Sequence, residues 1–350
     1  MMTLLSQEKK ICLETIMIRK SVYIIAEAGV NHNGKLDLAL KLCDAAKQAG
    51  VDAVKFQTWK TEKIVTKSAA KAEYQEENTG AGQSQFEMLK ALELSYPEFV
   101  QIRDYCKQIG IQFLSTPDTE EDMDFLLGLG IPVLKIGSGE VTNIPFLRAI
   151  GKRQQKVILS TGMSMLSDVE RAYNTLIESG AKEVALLHCT TNYPCPYNEV
   201  NLQAMQTMKS AFKCQVGYSD HTMGIEVPIA AVAMGAEIIE KHFTLDRTME
   251  GPDHLASLEP HELKQMVDSI RNIEQALGDG IKRPNASEKM NSEVVLKRII
   301  AKQPIKKGDI LCEDNLALLR SSNGIPAKYW DLIAGKPATR DYQVDDPIQL

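Results

Sequence analysis

The chain has no apolar run able to cross a bilayer. Its longest stretch of small apolar residues, 227–239, is broken by Gly235 and Glu237 and falls short of the ~20 residues a spanning helix needs. It has no Cys-x-x-Cys pair, and its seven cysteines are an odd number, which fits reduced thiols in a cytoplasm better than a disulfide framework. No G-x-G-x-x-G turn follows the first candidate strand, where Glu27-Ala28-Gly29-Val30-Asn31-His32 stands instead, so the usual dinucleotide fingerprint is missing. Positive charge is outnumbered, with 40 Lys and Arg against 46 Asp and Glu. The formal net charge is −6, and residues 21–289 alone carry −9, against +2 for residues 1–20 and +1 for residues 290–350; an acidic main domain argues against nucleic-acid binding. Residues 1–20 hold Lys9, Lys10, Arg19 and Lys20 but no apolar core followed by a small-residue cleavage site, so no secretory signal is expected and the expected compartment is the cytoplasm.

What is present is the composition of a soluble globular protein. With 350 residues, 44% hydrophobic and 25% charged, disorder and fibrous repeats drop out, and the length suits either two domains of about 150 residues or one large domain and a small one. Short β-branched runs recur, each followed by a helical pattern closing on glycine: 22–26, 53–57, 112–115, 133–136, 156–160, 184–188, 215–218 and 238–242. Leu36, Ala39, Leu40, Cys43 and Ala46 repeat at helical spacing before Gly50, and Phe99, Ile102, Cys106 and Ile109 before Gly110. Ser167-Asp168-Val169-Glu170 reads as a capping box for a helix ending at Gly180, and Pro260 sits near the start of a helix running to Leu277 and Gly278. Eight strand–helix units in about 260 residues predict a (β/α)8 barrel, with a doubly wound open sheet as the alternative. The expected layout is an N-terminal extension at 1–20, a barrel at 21–282, a linker at 283–290 and a small strand-rich domain at 291–350.

In such a barrel the active site lies at the carboxyl ends of the strands, and the polar residues there are dense. They include Glu27, Lys55, Gln57, Thr116, Lys135, Ser138, Glu140, Ser160, Thr161, His188, Asn192, Tyr193, Ser219, His221, Lys241 and His242. Lys55 and Lys135 sit inside apolar runs, where an ionised side chain needs a partner. His221 and His242 follow consecutive strands at corresponding depths, so their rings could converge on one metal ion with coordination positions left open, or each could be a hydrogen-bonded core histidine. The lysines, with Ser138, Ser160 and Thr161 nearby, suit an anionic substrate, and Gly137-Ser138-Gly139 lets backbone N–H groups approach a phosphate.

Read in order, ten segments resemble the sialic acid synthases, a family that includes the N-acetylneuraminate, N,N′-diacetyllegionaminate and pseudaminate synthases. They are Ile25 to Gly34, Val54 to Thr58, Leu114 to Pro117, Lys135 to Glu140, Leu159 to Met163, Leu187 to Thr190, Asn192 to Pro194, Tyr218 to Thr222, Glu240 to Thr244 and Gly251 to Asp253. Residues 319–324, Leu-Arg-Ser-Ser-Asn-Gly, resemble the family's small antifreeze-like SAF domain, of β-clip type. The resemblance implies condensation of phosphoenolpyruvate with an N-acylated mannosamine-type sugar, to a nine-carbon 2-keto acid and phosphate. It implies a divalent metal, Mn2+ or Mg2+, and a domain-swapped homodimer. It would put the metal on His221 and His242, and phosphoenolpyruvate among Lys55, Lys135, Ser138, Ser160 and Ser219. Glu27, Glu140, Gln57, Asn192, Tyr193, Asp253, the more weakly matching Asn78 and, from the other chain, Arg320 would meet or act on the sugar, with Thr116 and His188 completing the substrate-binding set. Asp118 is a departure, since many members carry phenylalanine after the Ser-Thr-Pro.

The chemistry agrees with those residue types. C3 of phosphoenolpyruvate is a poor nucleophile, so an open-sided metal beside the sugar aldehyde would meet a specific need, and a carboxylate, Glu27 by preference, could deprotonate the water that captures C2. Two other readings stand beside this one: a pyruvate aldolase with Lys55 or Lys135 as Schiff-base former, and a non-catalytic sugar- or partner-binding barrel. The acceptor stays open between N-acetylmannosamine and its 2,4-diacetamido-6-deoxy analogue.

Overall fold

The structure, a computed structural model, describes residues 21–349 other than 81; the N-terminal extension expected at 1–20 lies outside the described residues. The chain divides between Gly278 and Asp279 into two compact units. In the first, eight parallel strands form a nearly closed barrel: β1 (Tyr23–Gly29), β2 (Ala53–Thr58), β3 (Gln112–Pro117), β4 (Leu134–Ile136), β5 (Lys156–Ser160), β6 (Glu183–Cys189), β7 (Val216–Asp220) and β8 (Ile238–His242). Their ladder runs β3-β2-β1-β8-β7-β6-β5-β4. The doubly wound alternative is thereby excluded, because β1 pairs with both β2 and β8.

The two-residue period of each strand sorts the core. Tyr23, Ile25, Ala53, Leu114, Val133, Ile158, Ala185, Leu187 and Ile238 face inward and form one apolar plug. Their alternates, among them Ile24, Val54, Leu134, Leu159, Leu186 and Ile239, face outward into the larger core under the helices. Gly217 of β7 is required where the plug is tightest: a Cβ there would stand 2.2 Å from the Ile238 carbonyl oxygen.

The helices follow the sequence pattern with two differences. Leu36–Ala49 and Tyr96–Ile109 bury the predicted stripes and close on Gly50 and Gly110 in left-handed conformation. The helix before Gly180 is Leu166–Glu178, and its box sits two residues earlier than expected: Met165 N–H donates to Asp168 Oδ2 at 3.0 Å, and Ser167 lies inside the first turn. Between β2 and β3 the chain inserts three short helices, Thr61–Ile64, Glu73–Thr79 and Gln85–Leu92. Among the described residues no helix is long and apolar enough to cross a membrane.

The second unit differs from a strand-rich expectation. The stretch read as a linker holds the start of a helix, Ala286–Val295, capped by Asn285 Oδ1 accepting from Glu288 N–H at 2.9 Å. Among the described residues two regular strands follow, β9 (Lys297–Ala301) and β10 (Leu316–Arg320), antiparallel. Isolated bridges such as Ile300 with Pro347 and Ile305 with Tyr342 supply the remaining pairing. Proline and Lys307-Gly308-Asp309 interrupt the apolar runs, so side chains such as Ile299, Leu316 and Tyr342 gather into a core without long ladders.

Behind the barrel wall, Lys241 of β8 faces outward and is fully buried. Its ammonium donates to Asp220 Oδ2 at 2.5 Å and to the Thr222 carbonyl. Asp220 also accepts from Tyr218 OH, Thr222 N–H and Thr222 Oγ1–H, each at 3.0 Å. Lys241→Met therefore leaves a buried carboxylate without its counter-charge, and urea unfolding is expected to show a loss of about 3–5 kcal/mol. Gly217→Ala, which overfills the plug, is expected to lose about 1–3 kcal/mol in the same measurement.

Candidate active site

The apolar plug gives way to polar groups at the carboxyl ends of the strands, on the same inward faces. Glu27 pairs in register with Lys55 on one side and His242 on the other. A shift in the β1–β2 register between Glu27 and Gly29 ends that strand at a left-handed glycine, φ +51°. A Cβ at Gly29 would come within 3.3 Å of His242 Cε1 and 3.4 Å of Glu27 Oε1, so glycine leaves both side chains room. The resulting cavity, about 180 Å³, is lined by Glu27, Lys55, Gln57, Thr116, Asp118, Lys135, Ser138, Ser160, Cys189, Thr191, Tyr193, Ser219, His221, Glu240 and His242, with Gly137, Gly139 and Met163.

Two lysines and two carboxylates form its floor. Lys55 Nζ lies 2.8 Å from Glu27 Oε2 and donates to Thr116 Oγ1 at 3.1 Å. Lys135 Nζ donates to Ser160 Oγ at 2.9 Å and lies 3.3 Å from Glu240 Oε1. The same Glu240 oxygen is 3.9 Å from Lys55 Nζ and accepts from Ser219 Oγ–H at 3.2 Å. All four charged groups are almost wholly buried. Burial works against ionising Glu240, but Lys135 and Lys55 outweigh it and hold that carboxyl below its usual range. For Glu27 burial wins, with the Glu240 charge adding to it and Lys55 opposing, and its pKa is pushed up to about 7. Burial would also lower Lys55, yet Glu240 and Glu27 hold it up, whereas Lys135 is lowered by burial and by the charge of Lys55. Gln57 Nε2–H donates to Glu27 Oε1 at 2.9 Å and fixes the carboxyl plane.

Beside this floor stand two imidazoles, with ring centroids 5.4 Å apart. His221 Nδ1 is 2.6 Å from the Thr190 carbonyl oxygen, so that nitrogen carries a proton, and although burial works against the charged ring, Cys189, the Thr190 carbonyl and Asp220 hold its pKa above the usual value. His242 is held well below its usual pKa by burial and the neighbouring cations His221, Lys55, Lys241 and Lys135, and is neutral. Its Nδ1 is buried without a hydrogen-bond partner, 3.7 Å from Asp253 Oδ2. Among the described residues no three His, Cys, Asp or Glu side chains gather as a ready-made metal cage. The two imidazoles, His242 neutral with an orphaned nitrogen and His221 beside it, fit a divalent cation that keeps open positions, and binding of such a cation displaces any second proton on His221.

Most of the predicted site residues meet in this cavity, and some do not. Ser138 Oγ lines it and accepts from Gly162 N–H at 2.9 Å. Tyr193 packs on His221 with centroids 4.0 Å apart. Asp253 is buried next to His242, with its pKa raised to about 6 by burial. Glu140 sits in the short 3-10 turn after β4, outside the cavity lining, where Asn143 donates to it at 2.6 Å. Asn192 is absent from the lining, which takes its neighbours Thr191 and Tyr193. Asn78 lies on the inserted helix Glu73–Thr79 and donates to the Pro252 carbonyl at 2.7 Å, tying that insertion to the loop that carries Asp253. Arg320 ends β10 of the second unit and is exposed.

His188 requires correction. Alternation along β6 turns Leu187 and Cys189 inward and His188 outward, where its Nε2 lies 2.7 Å from the Val200 carbonyl oxygen. It lines a larger pocket of about 410 Å³ on the outer side of β6, together with Met163, Leu166, Asn201 and Met208. The residue that sequence reasoning missed is Glu240. The signal was available, because Glu240 is two residues from His242 on β8 and must share its face, while Lys241 between them must not.

Comparison with known proteins agrees with this geometry. Residues 42–282 match the NeuB family and residues 298–350 the SAF domain. The chain is 51% identical to an N,N'-diacetyllegionaminic acid synthase of Campylobacter jejuni, over 94% of this chain and 99% of that one. It is 46% identical to the Legionella pneumophila protein of the same name, over 90% of each. Among solved structures it resembles an N-acetylneuraminic acid (sialic acid) synthetase from Leptospira borgpetersenii crystallised with citrate. The TM-score is 0.69 and the identity 38%, covering 78% of this chain and 90% of that one. With a family match across most of the barrel and relatives aligned along nearly their whole lengths, the chain belongs to the NeuB family and carries a C-terminal SAF domain.

Proposed function

We propose that this enzyme condenses phosphoenolpyruvate with 2,4-diacetamido-2,4,6-trideoxymannose and water, giving N,N′-diacetyllegionaminate and phosphate. The choice of acceptor rests on the two relatives named for that product, at 51% and 46% identity, against 34% for a Campylobacter jejuni pseudaminic acid synthase and for the human N-acetylneuraminate-9-phosphate synthase. The observation that carries the reaction class is the buried floor of Lys55, Lys135, Glu240 and Glu27 beside the imidazoles of His221 and His242.

Phosphoenolpyruvate brings a phosphate and a carboxylate, which need fixed donors. The two lysines and the hydroxyls of Ser138, Ser160 and Ser219 supply them at one wall of the cavity. His221 and His242 would hold a divalent metal, manganese or magnesium, which when bound supplies Lewis-acid polarisation of the sugar aldehyde. As C3 of phosphoenolpyruvate forms its bond to the aldehyde carbon, positive character develops at C2 and water adds there. Glu27, poised near neutrality and oriented by Gln57 and Lys55, accepts the proton of that water. The former aldehyde oxygen takes up a proton and becomes a hydroxyl; the C2–O bond to phosphate then breaks, the C2 hydroxyl gives its proton to the departing phosphate, and the phosphate leaves past Lys55 and Lys135 with C2 as a ketone. Asp253 and Tyr193, next to the imidazoles, are assigned to the sugar. Arg320 is assigned to the cavity of a second copy in a homodimer.

The reading is tested by phosphate release with manganese and each of the two sugars or none. Release is expected only with sugar and metal together, with kcat/KM at least tenfold higher for the diacetamido sugar and abolished by a chelator. Release without sugar, or its absence with both sugars, would sink the proposal, and a lysine trapped by borohydride with pyruvate would favour the aldolase instead. Glu27→Gln is expected to lower kcat by about 10²–10⁴-fold. A base acts deprotonated, so the wild-type kcat/KM should climb with pH up to about 7 and level above it. Persistence of that limb in Glu27→Gln would assign it to another group.

A further inference from the structure

Asp118 lines the cavity yet has no part in the reaction as derived above. It follows β3 at the inward parity of Leu114 and Thr116, one step nearer the mouth, and its N–H donates to the Thr58 carbonyl at 3.3 Å, which fixes its place against β2. No group among the described residues donates a hydrogen bond to its carboxyl; the charges acting on it are Glu140, Asp122 and Lys55. Two of those are acidic. The third, Lys55, is already held by Glu27 at 2.8 Å and Thr116 at 3.1 Å. A carboxyl placed in a pocket without a protein donor leaves acceptor capacity for a ligand.

The two substrates differ in what they can offer it. Phosphoenolpyruvate presents acceptors and negative charge, which give a carboxylate oxygen no donor. The acylated amino sugar presents hydroxyl and amide N–H donors. We propose that Asp118 is a specificity-determining residue that accepts a hydrogen bond from an N–H or O–H group of the acceptor sugar. The assignment rests on the synthase reading for the identity of the substrates. It does not require Asp118 to touch the reacting atoms.

The test is steady-state phosphate release by the full chain with manganese, comparing wild type, Asp118→Ala and Asp118→Asn with both sugars. Asp118→Ala is expected to raise the acceptor KM by 10- to 100-fold while the phosphoenolpyruvate KM stays within twofold. Asp118→Asn, which keeps an acceptor oxygen, is expected to recover to within about threefold of wild type. A loss larger for the diacetamido sugar would identify its second amide as the donor, and equal losses a group common to both sugars. An unchanged acceptor KM in both variants, or an equal rise for phosphoenolpyruvate, would overturn the assignment. Should Asp118→Ala fail to fold, judged by its thermal midpoint, Asp118→Asn and Asp118→Leu carry the comparison. If the wild type releases no phosphate with either sugar, the synthase reading falls by itself. Calorimetric titration of each sugar into wild type and variant then decides Asp118, with a tenfold weakening supporting it and equal affinity, or no binding to wild type, overturning it.

Discussion

One carboxylate oxygen organises the barrel mouth. Glu240 Oε1 faces Lys135 at 3.3 Å, Lys55 at 3.9 Å and Ser219 Oγ at 3.2 Å, in a space otherwise closed by the apolar plug below it. Removing an ion from water into such a place has an effective penalty of several kcal/mol. A gross attraction of about 5 kcal/mol for each close pair at an effective dielectric of ~20 offsets it only when the geometry is good. Two ammonium groups could not share this floor without a common counter-charge. That sharing leaves the lysines short of full neutralisation and able to take an anionic substrate.

The other buried pair has a different task. Asp220 and Lys241 are register partners on the outer faces of β7 and β8, each one residue before a histidine of the cavity. Four donors converge on Asp220, so the loop from Asp220 to Thr222 has little freedom, and His221 emerges from it with its ring set by the Thr190 carbonyl. The inner ion cluster lines the cavity and the outer one fixes backbone. Both depend on one strand, β8, whose Glu240 and His242 point in while Lys241 points out.

That alternation also explains how far the sequence could be read. Strand–helix punctuation made the barrel legible, since each β-branched run was bounded by glycine and the eight runs were observed within a few residues of their expected places. Glu27, Lys55, Lys135, His221 and His242 were legible because a polar residue at the end of an apolar run has few structural uses. Glu240 was obscured by its neighbours, because in Glu-Lys-His the lysine and the histidine stand out as candidates until period two assigns the first and third residues to the cavity. His188 failed the same parity test. Asn192 depends on loop conformation and Asn78 on where a short inserted helix docks, neither of which has a periodic signature in a single chain. In the second unit, the apolar residues of 299–348 were visible as a core, but interrupted runs gave bridges and turns where strands were expected.

Glu27 and Glu240 show how one cavity obtains two functions from one residue type. They lie on adjacent strands, both buried and within reach of Lys55, yet Glu240 has two ammonium groups and a hydroxyl against it, while Glu27 has one ammonium, an amide and the repulsion of Glu240 itself. The first is therefore a permanent anion and the second a group poised to take or give a proton near neutrality. Pairs of titratable groups driven apart in this way mark acid–base chemistry more specifically than either group alone. The separation is also self-reinforcing. Each increment of negative charge secured on Glu240 raises the proton affinity of Glu27, so the lysines that keep Glu240 ionised also, through it, hold the Glu27 pKa near neutrality.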